Sequence, residues 1–343
     1  MSDRLPLAAI FGCRGLQLDA REKRFFSDAD PVGFILFRRN CDNPAQVRRL
    51  VDDLRECVGR ADAPVLIDQE GGRVQRLKPP HWRDAPAAAR FAALAATDLD
   101  RAVEAARLNA RLIARELSPL GITVDCAPVL DLPKADADPI IGDRAYGSDP
   151  AIVASLARAV CEGFLAGGVL PIIKHIPGHG RADVDSHMAL PVVSAAVSEL
   201  TTTDFSPFAA LADMPWAMTA HVVYTQLDAE NPATTSANVI DVIRREIGFT
   251  GILLSDDLSM QALSGGMGQR VTDSLAAGCD IVLHCNGIMA EMTDVAKACL
   301  PLGDIALGRV ARGEALRLEN RSAWQEPEEE AVRRLAVMLE GKG

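Results

Sequence analysis

Several absences narrow what this 343-residue chain can be. No apolar run approaches the roughly 20 residues a membrane span requires. Positive charge is in deficit: the net charge of −11 argues against a nucleic-acid or anionic-membrane surface. There is no HExxH pair, no CxxC pair and no glycine-rich phosphate turn after the first strand-like run, so no metal or dinucleotide motif declares itself. The three tryptophans, Trp82, Trp216 and Trp324, are too scattered to suggest a sugar-stacking platform. No low-complexity or Pro/Ser-rich linker divides the chain. The start, MSDRLPLAAIFG, lacks the basic, apolar and small-residue succession of a signal peptide. The eight cysteines stand unpaired inside apolar runs such as ITVDCAPVL and DIVLHCNG, as buried thiols of a reducing compartment do. A cytoplasmic location is therefore expected.

What is present is a repeated unit of short apolar strand, turn and amphipathic helix. The strands read LAAIFG (7–12), VGFILF (32–37), PVLIDQ (64–69), ITVDCAPVL (122–130), VLPIIKH (169–175), PWAMTAHVV (215–223), GILLSDD (251–257) and DIVLHCN (280–286). Their apolar residues are continuous rather than alternating, as in parallel strands covered on both faces. PAQVRRLVDDLRECV and AVEAARLNARLIARELSPLG carry helical periodicity between them. Eight such strands predict an α/β fold: one closed (β/α)₈ barrel domain spanning 1–343. The additions to it are an extended loop after strand 5, the 78–97 connection and a C-terminal helical tail, EEEAVRRLAVMLEG. An open doubly wound sheet is the rival, and it would normally begin with the missing phosphate turn.

In a barrel, function gathers where strands end. Asp68, Asp131, Lys174, His175, His221, Asp256, Asp257, His284 and Asn286 stand there. The densest block is KHIPGHGRADVDSH. Lys174 and His175 close a strand, Pro177, Gly178 and Gly180 force a turn, and Asp185 precedes His187 by two residues. A carboxylate that reaches an imidazole orients it and favours its charged form, which describes a general acid/base. A metal site using His175, His179, Asp185 and His187 competes on spacing alone, as does a solvated loop that happens to be His-rich. In GILLSDDLSM one aspartate suits a nucleophile toward an anomeric carbon. Helix capping of LSMQAL by Ser255, Asp256 or Asp257 is the plainer reading. In PVLIDQEGGRVQRL, Asp68 ends a strand, Gly71 and Gly72 turn the chain, and Arg73 and Arg76 follow on a predicted helical turn, suited to gripping oxygens. A surface turn with a salt bridge is the alternative. Arg144 lies in a long loop, and His221 and His284 read as satisfied strand-end histidines.

Taken together, DQEGGRVQR, APVLDL, IGDRAYG, KHIPGHG…DSH, SDDLSM and AGCDIVLHCN resemble, in order and over nearly the whole chain, the bacterial cytosolic β-N-acetylglucosaminidases of glycoside hydrolase family 3. The resemblance implies a retaining enzyme in which Asp256 is the nucleophile and His187, paired with Asp185, is the acid/base. It also implies that Asp68, Arg76, Arg144, Lys174 and His175 hold the N-acetylglucosamine ring. The implied partner is a carbohydrate, N-acetylglucosaminyl-1,6-anhydro-N-acetylmuramic acid with or without peptide, met in peptidoglycan recycling. No metal, other cofactor, nucleic acid or membrane is implied. The family often has Phe at Ile176 and Ser-Phe at Ala145–Tyr146, and neither difference removes a group the chemistry needs. Glycines in the 176–188 loop imply that it moves to bring His187 to the scissile bond. A metal-dependent hydrolase, a family 3 phosphorylase, a non-catalytic sugar binder and a mechanism using the substrate's own acetamido group are the alternatives.

Overall fold

The computed structural model describes residues 5–134, 141–182 and 190–340. Eight strands, β1 (Leu7–Gly12), β2 (Pro31–Leu36), β3 (Val65–Ile67), β4 (Val124–Asp125), β5 (Leu170–Ile176), β6 (Trp216–Thr219), β7 (Ile252–Asp257) and β8 (Ile281–His284), pair in sequence order. All these pairings are parallel, and β8 closes on β1 with Ile10 opposite Leu283. Closure removes the open-sheet alternative. All residues of β1–β6 and β8 are buried, which explains why their sequences do not alternate. Eight strands at this closure leave an interior just wide enough for side chains.

Each expected strand is present, though several are shorter than their apolar runs, two of them for legible reasons. ITVDCAPVL pairs regularly only at Val124–Asp125, because Pro128 has no N–H to give the ladder. Beyond it the chain stays beside β5, where the Leu130 amide donates to the Lys174 carbonyl. PWAMTAHVV leaves the barrel after Thr219, and Val223–Tyr224 pairs instead with Val192–Val193.

The helices start and stop on legible signals. Helix Pro44–Val58 coincides with its periodic run: Asn43 caps it, Pro44 opens it and Gly59 ends it in the left-handed region. Asp19 and Glu22 form a capping box on helix Ala20–Ala29, whose Phe25 and Phe26 pack edge-on with Phe11 and Phe34. The 78–97 connection carries a helix of its own, Ala88–Ala95. The tail forms helix Glu328–Leu339, and Trp324 before it lies 5.0 Å from the guanidinium groups of both Arg111 and Arg115.

Helices Leu99–Leu117 and Pro150–Ala166 pack closely because Gly163 has no side chain: a Cβ there would lie 2.3 Å from the Arg107 carbonyl oxygen. Gly163→Ala should therefore cost about 1–3 kcal/mol, the usual range for overpacking, measured as a lower urea midpoint at unchanged slope. An unchanged midpoint would show that the helices separate freely.

Candidate active site

The polar residues at the carboxyl ends of the strands enclose one cavity of about 340 Å³. Asp68, Arg76, Arg144, Lys174, His175 and Asp256 all line it, together with Glu70 and His179. Asp185 and His187 lie outside the described residues.

Strand geometry explains the left wall of the site. Side chains two apart on an extended chain share a face, so Asp68 and Glu70 both reach the cavity while Gln69 turns away. Gly71 and Gly72, both at positive φ, reverse the chain, and a Cβ on Gly71 would lie 2.4 Å from the Pro86 carbonyl oxygen. The following residues do not form the expected helical turn. Gln69–Gly71 and Val74–Gln75 pair as a small antiparallel hairpin, because buried Gln69 and Gln75 bond inward and leave Arg76 at the end of a strand. Arg73 reaches the mouth, where its Nε lies 2.8 Å from Asp143.

The charged groups form a chain of alternating sign. Arg76 Nη2 is 2.9 Å from Asp68, and Lys174 Nζ is 2.9 Å from Asp68 and 2.6 Å from Glu70. Arg144 grips Glu70 with two bonds of 2.9 and 2.8 Å. Burial alone would raise both carboxyls. Lys174 and Arg76 hold Asp68 well below the carboxylate range, and Arg144 and Lys174 hold Glu70 at about 2. Burial would lower the Lys174 ammonium, but Asp68 and Glu70 raise it instead. All five groups are thus charged at neutral pH, with three cations against two anions.

Glu70 was assigned no role from the sequence. The signal was charge balance: Arg76, Arg144 and Lys174 exceed what Asp68 alone can neutralise, and Glu70 is the next carboxylate on the same face. Asp131, recognised only as a strand-end residue, anchors the right wall. It lies 2.7 Å from His175 Nδ1 and accepts from the backbone amides of His175 and His179. Lys174 and His175 both reach the cavity although adjacent, at the point where the register between β5 and β6 shifts. The Lys174–His175 peptide is cis. His179 contributes to the turn through its backbone, while its buried ring faces the cavity with Nδ1 unpartnered among the described residues.

The two aspartates of SDD divide the work. Asp257 Oδ1 accepts from the amides of Ser259 and Cys285, and its Oδ2 from the Ser259 hydroxyl. It caps a turn, since LSMQAL is not helical and the next helix starts only at Met267. Both aspartates line the cavity, but Asp256 is the less occupied, with the Asp257 amide donating to it. Burial raises its carboxyl, but His221, His175, that amide and Lys174 outweigh burial and hold it below the usual value. Asp256 is therefore a buried, ionised carboxylate, the state a nucleophile needs. His221 bonds to Thr234 and to the Asp257 carbonyl, and His284 to Glu291; neither lines the cavity. Trp82, Trp216 and Trp324 do not line it either.

Fixed donors and acceptors on two walls, facing one ionised carboxylate on a barrel rim, define a glycoside-processing site. The comparisons agree. Residues 13–312 match the glycosyl hydrolase family 3 N-terminal domain. A beta-hexosaminidase of Xanthomonas campestris pv. campestris is 36% identical over 309 residues, 89% of this chain and 92% of that protein. Native NagZ from Neisseria gonorrhoeae superposes with a TM-score of 0.87 at 31% identity, covering 99% of this chain and 100% of the other. The same enzyme in complex with N-trifluoroacetyl-D-glucosamine gives 0.86 at 31% identity, covering 99% of each chain. The chain belongs to glycoside hydrolase family 3, and it is a β-N-acetylhexosaminidase.

Two outcomes test this electrostatic account. Glu70→Ala leaves Lys174 and Arg144 without their shared anion and should destabilise the protein by about 3–5 kcal/mol, as for other broken buried pairs, read by urea unfolding. A loss below 1 kcal/mol would mean water already screens the pair. Burial, with His175 adding to it, lowers the His179 imidazole from 6.5 to about 4. Its folded-state value being the lower, the stability it contributes is present above pH 6.5 and is lost as pH falls toward 4, up to about 3 kcal/mol. His179→Asn should flatten the fall in unfolding free energy between pH 7 and 4.5. Because His221 is also held low by burial, some slope should remain, whereas an unaltered slope would refute the assignment.

Proposed function

We propose that the protein removes a non-reducing terminal N-acetylglucosamine from 1,6-anhydro-muropeptides in peptidoglycan recycling. The reaction is a double displacement on a single barrel domain in the cytoplasm. Asp256 attacks the anomeric carbon to give a covalent glycosyl-enzyme. His187, held and charged by Asp185, protonates the leaving oxygen and then takes a proton from the incoming water. Asp68, Arg76, Arg144, Lys174 and His175 hold the sugar ring. The observation that carries this reading is the shared cavity: the ionised Asp256 carboxylate lines the same space as the five ring-holding side chains.

Further support comes from the N-acyl glucosamine in the related Neisseria complex and from the KHIPGHGRADVDSH block. The described part of that block ends on a firm base. The Tyr224 hydroxyl donates to the Gly178 carbonyl, and Arg181 lies 2.7 Å from both Asp204 and Glu199. A Cβ on Gly180 would meet the Leu132 carbonyl oxygen at 2.1 Å.

Asp256→Asn should lower kcat on an aryl N-acetyl-β-glucosaminide by at least about 10³-fold, as expected for loss of a nucleophile. The wild type should release the β-anomer first by proton NMR, and added phosphate should give no sugar phosphate. Near-wild-type turnover by the variant, or an α-anomer as first product, would overturn the proposal.

A further inference from the structure

Gln69 sits between two cavity-lining carboxylates, Asp68 and Glu70, and is itself absent from the cavity lining. It is fully buried in the wall, where the neighbouring strands are apolar. A buried amide costs free energy unless its donors and acceptor are used, and here they are. Gln69 Oε1 accepts from the backbone amides of Arg76 at 2.8 Å and Leu77 at 3.0 Å, and its Nε2 donates to the Leu77 carbonyl at 2.9 Å. Its own backbone amide donates to Asp125 Oδ1 at 3.0 Å. Asp125 is buried beneath the site, and its other carboxyl oxygen has no partner among the described residues.

These bonds fix two distances at once. The Asp125 anchor holds the peptide joining Asp68 to Glu70, so both carboxylates are presented to Lys174 from one rigid segment. The side-chain amide closes the hairpin from inside and returns the Arg76 backbone to the level of Asp68, where the guanidinium completes its 2.9 Å contact. Gln75 ties the same hairpin to Asp84 and the Ala85 amide, while among the described residues the bonds from Gln69 are the side-chain bonds that reach the Arg76 and Leu77 backbone. The Gly71–Gly72 reversal is tied to Ala85 by a backbone bond, and the Arg76 and Leu77 amides end on Gln69.

We infer that Gln69 is a positioning residue: it touches no substrate, and it sets the spacing of Asp68, Glu70 and Arg76 on which sugar binding depends. The inference rests on the reading that Asp68 and Arg76 hold the sugar ring. Displacing such a group by about an ångström can cost up to about 100-fold in rate or affinity.

The test is a double-mutant cycle read as the Kd for N-acetylglucosamine by calorimetry, well below the unfolding temperature of every variant. Gln69→Met keeps the volume and removes the amide, and should raise Kd by roughly tenfold or more. Gln46→Leu is the matched control. That buried glutamine also makes three side-chain bonds to backbone, with Leu16, Asn40 and Asp42, but away from the cavity. It should lose stability with Kd unchanged. Asp68→Asn should raise Kd by itself, and adding Gln69→Met to it should cause little further loss, because a positioning residue acts through the group it positions. Penalties that multiply, or a Gln69→Met Kd equal to that of Gln46→Leu, would reduce Gln69 to a structural residue and overturn the inference. If Asp68→Asn leaves Kd unchanged, the ring-holding reading itself fails and the inference falls with it, a result distinct from the other two. Should Gln69→Met not fold, Gln69→Asn, whose amide stops one methylene short of Arg76 and Leu77, is carried through the same cycle with the same criteria.

Discussion

The site depends on one ammonium group. Lys174, buried at the end of β5, lies within 2.9 Å of both Asp68 and Glu70. Lys174 lowers both carboxyls, together with Arg76 at Asp68 and Arg144 at Glu70, and the two anions in turn hold its ammonium charged against burial. Buried ion pairs of this kind contribute little net stability, since desolvation offsets the attraction. Their value here is that donors and acceptors are aimed in advance, so a polar ligand meets groups that need no reorganisation. Arg76 and Arg144 close the two ends of the series, and each is fixed by a carboxylate rather than left to search.

The opposite wall uses the same economy with different groups. Asp131 serves the His175 ring and the amides of the turn that follows, so one buried carboxylate orients an imidazole and shapes the turn after β5. Asp257 takes up the local amides at the end of β7. Asp256, to which only the Asp257 amide donates among the described residues, remains available on the cavity wall, as the proposed attack on an anomeric carbon requires.

Much of this was legible in the sequence. All eight barrel strands follow from continuous apolar runs, because burial on both faces leaves no alternation to misread. The ends of helix Pro44–Val58 follow from Asn43, Pro44 and Gly59. Lys174 and His175 sit at the end of a strand and Asp68 directly after one, as fold and motif both indicate, whereas Arg144 ends the short helical turn Gly142–Arg144. What local pattern does not encode is how many amides a given side chain will accept. This hid the role of Asp131, made LSMQAL look like a capped helix, and made the segment after Gly72 look helical when two buried glutamines hold it as a hairpin. Glu70 was hidden for a related reason: its need becomes visible only when three cations are known to share one cavity.

The proposed double displacement requires this pre-charged cavity to deliver the anomeric carbon to Asp256. Its most direct test is to trap the intermediate with a fluorinated glycosyl donor bearing a good leaving group, then digest the protein and map the adduct by tandem mass spectrometry. The expected result is one glycosyl increment per chain on the GILLSDDLSM segment, assigned to Asp256 and absent in Asp256→Asn. An adduct on another carboxylate, or stoichiometric leaving-group release with no adduct, would contradict it.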